Sequence, residues 1–302
     1  MVAHYKVISR DSVESVLAGN WPWFQKAPLR GDDHYFAVCP WCNNPIQLKG
    51  LYRKQAGSPR PYGSHTGEPV DGFPYFNMTD LVYCPYRLKQ RSYKKTDRRP
   101  VGEAARRLVE RAVSEFDRII LVLREDFGFP FSSRFAEKML DLWFSSQGYC
   151  YTGAHLRNLP WMIAYFGPTE SIYGQYIGSD TELVRAIIKQ VSGARITPEG
   201  QLRHDGTGYF NLKLQCLHHR MTEISAEGML SERMTLRVMD FSATNFAGEA
   251  PALYEKKIRF DPERFERLIH TAPERARRNR ALLDLARQVA EKWRPTTHGD
   301  NA

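Results

Sequence analysis

The sequence predicts an α+β fold with a cysteine-bearing N-terminal module, a helical middle, and a small antiparallel sheet with C-terminal helices. Three of the five cysteines lie in the first third of the chain, apolar residues recur at helical spacing after residue 101, and strand-like alternation follows Gly193. The expected regions are an N-terminal anchor and metal-binding module at 1–100, a helical region at 101–192, the sheet with C-terminal helices at 193–294, and a disordered tail at 295–302.

The N-terminal module contains little that could form a core by itself. After an early helical stretch, Trp21, Trp23 and Phe24 surround a proline and are expected to anchor the N-terminus. From His34 to Arg99 the chain is rich in Gly, Pro, Tyr, Cys and Asn and has no sustained helical periodicity. Such a segment buries too little apolar surface to fold unaided, so another constraint must hold it together.

Cys39 and Cys42 form a C-x-x-C, a spacing that lets two thiolates reach one tetrahedral zinc ion at about 2.3 Å. Thioredoxin-like redox sites share this spacing but lie where a strand meets a helix, whereas Asn43, Asn44 and Pro45 follow here. The odd number of cysteines and their crowding disfavour a secreted disulfide scaffold and favour metal ligation in a reducing compartment. Zn²⁺ is therefore the expected cofactor, and the module is expected to be zinc-stapled.

The other zinc ligands must come from downstream. Cys84, in the run YCPY, resembles half of a second knuckle because Arg87 stands where a fourth cysteine would be. His65, on a loop flanked by glycines, is the expected fourth ligand, and His34 is its competitor. Three thiolates and one imidazole leave no open position for water, so this zinc is expected to be structural. The predicted ligands are Cys39, Cys42, His65 and Cys84.

Two resemblances rest on these motifs. The strings CPWC, LYRK, PYGSH and YCPY resemble a motif set of uncharacterised bacterial zinc-binding proteins, which implies no function. The C-x-x-C, a histidine, and then Asn77, Leu81 and Cys84 are similar to the zinc-bearing HNH nuclease module, a treble-clef unit. The chain departs from that module because it has no histidine between His65 and His155. No catalytic residue is carried over from it.

The middle of the chain is expected to be helical. Residues 101–126 carry apolar side chains at helical spacing and predict one amphipathic helix, which the glycines and prolines at 127–130 end. The next expected helices are one capped by Ser132 or Ser133 and ending at Phe144, one from Thr152 to Pro160, and one capped by Ser179 and ending at Val191.

After Gly193 the pattern changes to strands. Polar and apolar residues alternate from Tyr209 to Leu217, again around Leu236, and from Tyr254 to Phe260, which predicts a small antiparallel sheet. His218 and His219 adjoin this sheet and are expected to face opposite sides, so they should not share a metal. Cys150 and Cys216 are expected to be buried, small apolar residues. Two helices should follow, one starting at Asp261 and Pro262 and one spanning Ala272 to Trp293.

The chain carries a net charge of +9, and its cations are clustered. Ten Lys or Arg and three acids occur between Arg87 and Arg111. Clustered cations favour a polyanion such as DNA or RNA, and tyrosines among them can stack on bases. The expected nucleic-acid-binding residues are Tyr86, Arg87, Lys89, Arg91, Tyr93, Lys94, Lys95, Arg98, Arg99, Arg106, Arg277 and Arg278.

These features predict a zinc-stabilised, basic nucleic-acid-binding protein without catalysis, acting in a larger bacterial complex with other protein subunits. One alternative is a metal-dependent nuclease. Asp240, with Glu255 and Lys257 on the next strand, is similar to the core of PD-(D/E)XK nucleases, where two carboxylates hold a divalent metal and a lysine positions the attacking water. A solvated charged strand accounts for the same residues. Another alternative is a protein-interaction adaptor with an acidic partner.

The sequence shows neither a secretory signal nor a membrane span. The first 20 residues lack a basic start followed by an apolar run, and apolar runs such as Ile119–Leu123 fall far short of the ~20 residues that a spanning helix needs. A soluble, cytoplasmic protein without a membrane partner is expected.

Overall fold

The computed structural model describes residues 8–17, 19–26, 33–52, 61–88, 93–224, 229–272 and 274–293. The chain divides into two compact units. Unit 1 comprises Met1–Arg91 with Glu223–Leu230, and unit 2 comprises Ser92–Thr222 with Ser231–Ala302. The predicted helical region and the predicted sheet therefore belong to one unit, and the α+β class is confirmed. The predicted tail at 295–302 lies outside the described residues.

Unit 1 contains a four-stranded antiparallel sheet that the sequence did not indicate. Its strands lie in the order β1-β2-β3-β4. Beside the three cysteines, the buried apolar residues of unit 1 are few: Val13, Phe36, Trp41, Ile46, Leu48 and Leu81. The elements are α1 (Arg10–Leu17), β1 (Phe24–Gln25), β2 (His34–Val38), β3 (Pro45–Lys49), β4 (Tyr62–His65), α2 (Met78–Val82) and α3 (Pro85–Leu88).

Unit 2 has a helical core with a second four-stranded sheet, ordered β10-β9-β8-β5, and a separate β6–β7 hairpin. In β8 the predicted alternation is confirmed, because Leu212, Leu214 and Cys216 are buried. The helices are α4 (Glu103–Ser114), α5 (Phe116–Phe127), α6 (Ser133–Ser145), α7 (Leu159–Phe166), α8 (Glu182–Gln190), α9 (Pro262–Ile269) and α10 (Arg280–Lys292). The strands are β5 (Glu170–Ser171), β6 (Ala194–Ile196), β7 (Leu202–His204), β8 (Leu212–Ile224), β9 (Met229–Asp240) and β10 (Ala252–Arg259).

Several predicted helix boundaries were wrong. The helix expected over 101–126 is two helices that break at Glu115, where φ is −120° and ψ is 18°. Pro160 lies in the first turn of α7, where its missing N–H costs nothing, so the proline begins a helix instead of ending one. Thr181, not Ser179, caps α8, and Asn279 caps α10, which begins eight residues after the predicted start. The caps at Ser132 and Asp261 are confirmed.

Candidate metal centre

The turn between β2 and β3 brings Cys39 and Cys42 together. Asn43 adopts a left-handed conformation with φ of 55°, which asparagine tolerates better than most residues. Its backbone N–H donates to the Cys39 carbonyl at 3.0 Å, and the Cys39 N–H donates to the Asn44 carbonyl at 2.9 Å. These two bonds close a tight knuckle with both thiols on buried positions.

Two other elements bring the remaining ligands to the knuckle. His65 is the last residue of β4, and it pairs with Ile46, the second residue of β3. Cys84 lies between α2 and α3 and is completely buried. The sheet register and the short α2 helix thus deliver one ligand each.

The four predicted ligands converge. Their ligand atoms all lie within 4.8 Å of one another, so Cys39, Cys42, His65 and Cys84 could hold a metal ion. The Sγ atoms of Cys39 and Cys84 are 3.7 Å apart, and Cys42 Sγ lies 3.4 Å from His65 Nε2. A tetrahedral ion with bonds of about 2.3 Å would separate its ligands by about 3.8 Å, so these distances suit tetrahedral coordination. His34 does not belong to this cluster, and its Nδ1 lies 3.2 Å from Gln47 Nε2 on the sheet.

The three thiols cannot all ionise together without a cation. Burial raises the pKa of the Cys39 thiol to about 12. Hydrogen bonding with Cys39 and Cys42, together with burial, raises the pKa of Cys84. Hydrogen bonds from Cys39 and Cys84 lower the pKa of Cys42, so one thiolate forms at the expense of its neighbours. A bound metal ion would stabilise all three thiolates, because metal binding displaces the protons of its ligands.

Asn44 joins the first knuckle to the segment that carries Cys84. This side chain is 1% exposed. Its Oδ1 accepts from the Asn77 N–H at 2.7 Å, and its Nδ2 donates to the Asn77 carbonyl at 3.1 Å. Asn77 caps α2 through its own Oδ1, which accepts from the Asp80 N–H at 3.0 Å. We did not predict this role for Asn44, although an Asn directly after a C-x-x-C is a visible signal.

Comparison with protein-family models, with curated proteins and with solved structures finds no match. The functional assignment therefore depends on the geometry of this chain.

The predicted nucleic-acid-binding run spans the division between the units at residues 91 and 92. Tyr86 and Arg87 are exposed on α3, whereas Lys89 and Arg91 lie outside the described residues. In unit 2, Tyr93 is 7% exposed and its ring meets the Tyr151 ring edge-on. Tyr93 therefore presents no ring face for base stacking, which corrects that part of the prediction.

The cations of this run in unit 2 have different surroundings. Arg99 is 6% exposed and its Nη2 donates to the Ala154 carbonyl at 3.0 Å, so it supports the fold instead of a surface. Arg98 donates to the Ser146 carbonyl at 3.1 Å, and the ammonium of Lys95 lies 5.0 Å from the Tyr165 ring centroid. Lys94 is exposed.

The predicted cations outside this run are partly engaged as well. Arg106 pairs with Glu103 at 3.3 Å on the surface of α4. The Arg278 guanidinium donates to both carboxylate oxygens of Asp117, at 2.8 and 2.9 Å, so it forms a bidentate ion pair within the fold. Arg277 is exposed. A depression beside the start of α10 is lined by Ala276, Arg278, Arg280, Leu283, Asp284 and Arg287.

The residues proposed for the nuclease alternative do not converge. Glu255 lies opposite Arg237 in the β9–β10 register and forms an ion pair with it. Asp240 is three residues further along β9, about 10 Å from Arg237, and a register shift at Ala252/Tyr254 separates it from the Glu255 pairing. Lys257 lies opposite Thr235, on the side of Glu255 away from Asp240. Among the described residues, neither Asp240 nor Glu255 belongs to a cluster of three or more groups that could hold a metal ion.

A second cluster of titratable groups lies in the core of unit 2. The Glu232 carboxylate accepts from His155 Nε2 at 2.8 Å, His219 Nε2 at 2.9 Å and Asn158 Nδ2 at 2.7 Å. Burial would raise the pKa of Glu232, but the two imidazoles outweigh it and the pKa falls; burial lowers the pKa of His155. His219 is buried and His218 exposed, as predicted. Each Nε2 is directed at a separate carboxylate oxygen, so this is a structural network.

In the part of the chain that the structure describes, no helix combines the length and the apolar character needed to cross a membrane.

Proposed function

We propose that the protein is a zinc-stabilised nucleic-acid-binding protein, without catalysis of its own, that works within a larger bacterial complex in the cytoplasm. The observation that carries the metal part is the convergence of Cys39, Cys42, His65 and Cys84. Three thiolates and one imidazole are a soft ligand set typical of Zn²⁺. Because the shell is closed, the zinc would hold unit 1 together and would not activate water.

The nucleic-acid part is supported by the net charge and by surface cations that form no ion pair with an acid in the described part of the chain. The chain carries a net charge of +9. Among the described residues, Lys94, Lys95 and Arg98 form no ion pair, although Asp97 lies between them. Asp97 instead accepts from the Lys94 backbone N–H at 2.8 Å. Unpaired surface cations raise the local potential for phosphates.

Fluorescence anisotropy with labelled DNA and RNA at several salt concentrations tests this function. We expect binding whose logarithm falls linearly with the logarithm of the salt concentration, because phosphate contacts release counterions. Lys94→Gln should lower the slope of log affinity against log salt concentration by about one counterion. The control Lys138→Gln should leave this slope unchanged, because Lys138 pairs with Glu170 at 2.6 Å. Absence of binding to both nucleic acids would contradict the proposal and favour an adaptor with an acidic protein partner.

The same samples, incubated with Mg²⁺ or Mn²⁺, separate binding from cleavage. Intact DNA and RNA are expected, because Glu255 is paired with Arg237 and neither Glu255 nor Asp240 belongs to a metal-binding cluster among the described residues. Cleavage that is lost in Glu255→Ala would restore the nuclease alternative.

A further inference from the structure

Three rings form a row on the surface of unit 2, at the β6–β7 hairpin and the segments beside it. The rings of Tyr209 and His204 are nearly parallel, at 19°, with centroids 6.2 Å apart. The His204 and Tyr173 centroids are 5.0 Å apart. We call Tyr173, His204 and Tyr209 the ring row.

The ring row is held in place by the fold. His204 Nδ1 donates to the Gly208 carbonyl at 2.9 Å, which fixes the orientation of the imidazole. Beneath it, the buried Phe210 ring lies with its centroid 4.3 Å from that of His204. Gly193 has a φ of 80°, and the backbone of Gly208 packs directly against it. A Cβ atom added to Gly193 would lie only 2.9 Å from the Cα of Gly208. The central ring of the row and the backbone beside Tyr209 are therefore held in place by the fold.

The outer rings of the row are open to solvent. Tyr209 is 71% exposed and Tyr173 is 42% exposed. Single exposed aromatic residues are common and need no explanation. Here, however, two exposed rings lie on either side of a third that the fold holds in place, Tyr209 nearly parallel to it and Tyr173 tilted by 40°, and they offer aromatic surface for stacking.

Cations accompany the ring row. The Arg203 guanidinium carbon lies 5.5 Å from the Tyr173 ring centroid, and the guanidinium donates to Gln201 Oε1 at 3.0 Å. Arg195 lies opposite Arg203 in the hairpin. Neither arginine forms an ion pair with any residue that the structure describes. Asp205, the nearby acid, accepts from the backbone N–H and the hydroxyl of Thr207, both at 2.7 Å, and its charge also interacts with that of Arg195.

We propose that the ring row is where this protein stacks the bases of single-stranded nucleic acid, with Arg203 and Arg195 contacting the phosphates. The inference rests on the proposed function and deepens it by naming the form of nucleic acid. Aromatic rings beside arginines are the usual means of holding single strands, because every base offers a π-face. The bases of a duplex are stacked inside the double helix, so exposed aromatic rings add little to the affinity for a duplex. A neutral oligosaccharide would stack on such rings but would leave the two arginines without a partner.

Anisotropy with a fluorescein-labelled mixed-sequence oligonucleotide, as a single strand and as a duplex, tests the ring row. We expect tighter binding of the single strand, and about tenfold weaker single-strand binding in each of Tyr173→Ala and Tyr209→Ala. Tyr209→Phe keeps the ring and should bind as the wild type does. Arg203→Gln should weaken binding and lower the salt dependence. Because Tyr209 is so exposed, its variants should unfold at the wild-type temperature, which thermal denaturation checks.

The outcomes separate the two proposals. If the wild type binds nucleic acid with the expected salt dependence, but Tyr173→Ala/Tyr209→Ala binds the single strand equally well, the ring row is overturned and the proposed function stands. If the double variant loses single-strand binding and keeps its weaker duplex binding, the ring row is supported. If the wild type binds neither form, both proposals fail.

Discussion

The buried side chain of Asn44 holds the backbone of Asn77 by two hydrogen bonds, of 2.7 and 3.1 Å. Asn44 follows the knuckle that carries Cys39 and Cys42, and Asn77 caps the helix that leads to Cys84. This pair of bonds sets the distance between the two cysteine-bearing segments by a contact that lies outside the ligand set. Asn44 thus supports the cluster without being one of its four ligands.

Replacing Asn44 should weaken metal binding although no ligand is lost. We expect Asn44→Ala to reduce zinc affinity by about 10- to 100-fold, the usual cost of losing an outer-shell partner. Competition with a chromophoric zinc chelator measures this change. Asn43→Gly is the matched control: it removes the neighbouring amide but suits the positive φ, so affinity should be retained. Equal affinities for both variants would contradict the role assigned to Asn44.

Removing the metal should unfold unit 1 locally. Its apolar core is small, so the ion contributes much of its folding free energy. After chelation we expect amide hydrogen exchange to accelerate in β2, β3 and β4, while α6 and α7, whose apolar side chains are buried in unit 2, remain protected. Unchanged protection of β3 in metal-free protein would show that the sheet folds without the staple.

Acidification should destabilise unit 2 through His155 and Glu232. Both groups have lowered pKa values in the folded state, so the unfolded chain binds more protons and stability is lost as the pH falls. The His155 contribution should begin to disappear as the pH falls below about 6.5, the ordinary pKa of an imidazole.

Thermal unfolding between about pH 5 and pH 8 measures this dependence. His155→Gln, which keeps a donor for Glu232, should flatten the curve. The matched control is His218→Asn, because His218 is exposed and has a φ of 55° that asparagine tolerates. If His155→Gln and wild type give parallel curves, the buried imidazole does not determine the pH dependence.

The ion pair between Asp117 and Arg278 should stabilise the packing of α10. The Asp117 side chain is 4% exposed and also accepts from the Asn279 N–H at 2.9 Å. We expect Asp117→Ala to lower the free energy of unfolding by about 2–3 kcal/mol, somewhat less than for a fully buried pair because Arg278 is partly exposed. Urea denaturation measures the change. As a control, Arg277→Ala changes an exposed neighbour and should lower the free energy of unfolding by less than about 0.5 kcal/mol. Equal losses in Asp117→Ala and Arg277→Ala would contradict a stabilising role for the ion pair.

The metal ligands could be predicted from the sequence because their chemistry is local and rare. The spacing of Cys39 and Cys42 predicts a zinc knuckle, and only a few residue types can supply the remaining zinc ligands. The sheet of unit 1 could not be predicted, since its short strands alternate weakly and are held by pairing with each other and by the cysteine cluster. Only the register places His65 beside the thiols and His34 away from them.

The helix break at Glu115 and the ring row could not be predicted from the sequence, for different reasons. Apolar residues keep the helical period across Glu115, so periodicity cannot reveal a break of one residue. Tyr173 and His204 are 31 residues apart and meet because the segment after β5 pairs with the hairpin, where the Gly174 N–H donates to the Leu202 carbonyl at 2.8 Å. No local sequence pattern records this pairing. Clustered charge suggested Tyr93 as a stacking ring, but charge along the chain does not report which neighbouring ring is buried.

Metal analysis of the purified protein tests the central claim most directly. We predict one zinc ion per chain in the wild type, loss of that ion in Cys84→Ser, and its retention in Cys150→Ser, whose cysteine is equally buried but lies outside the cluster. A wild-type protein without bound metal, or a Cys84→Ser variant that keeps its full complement of zinc, would contradict the account.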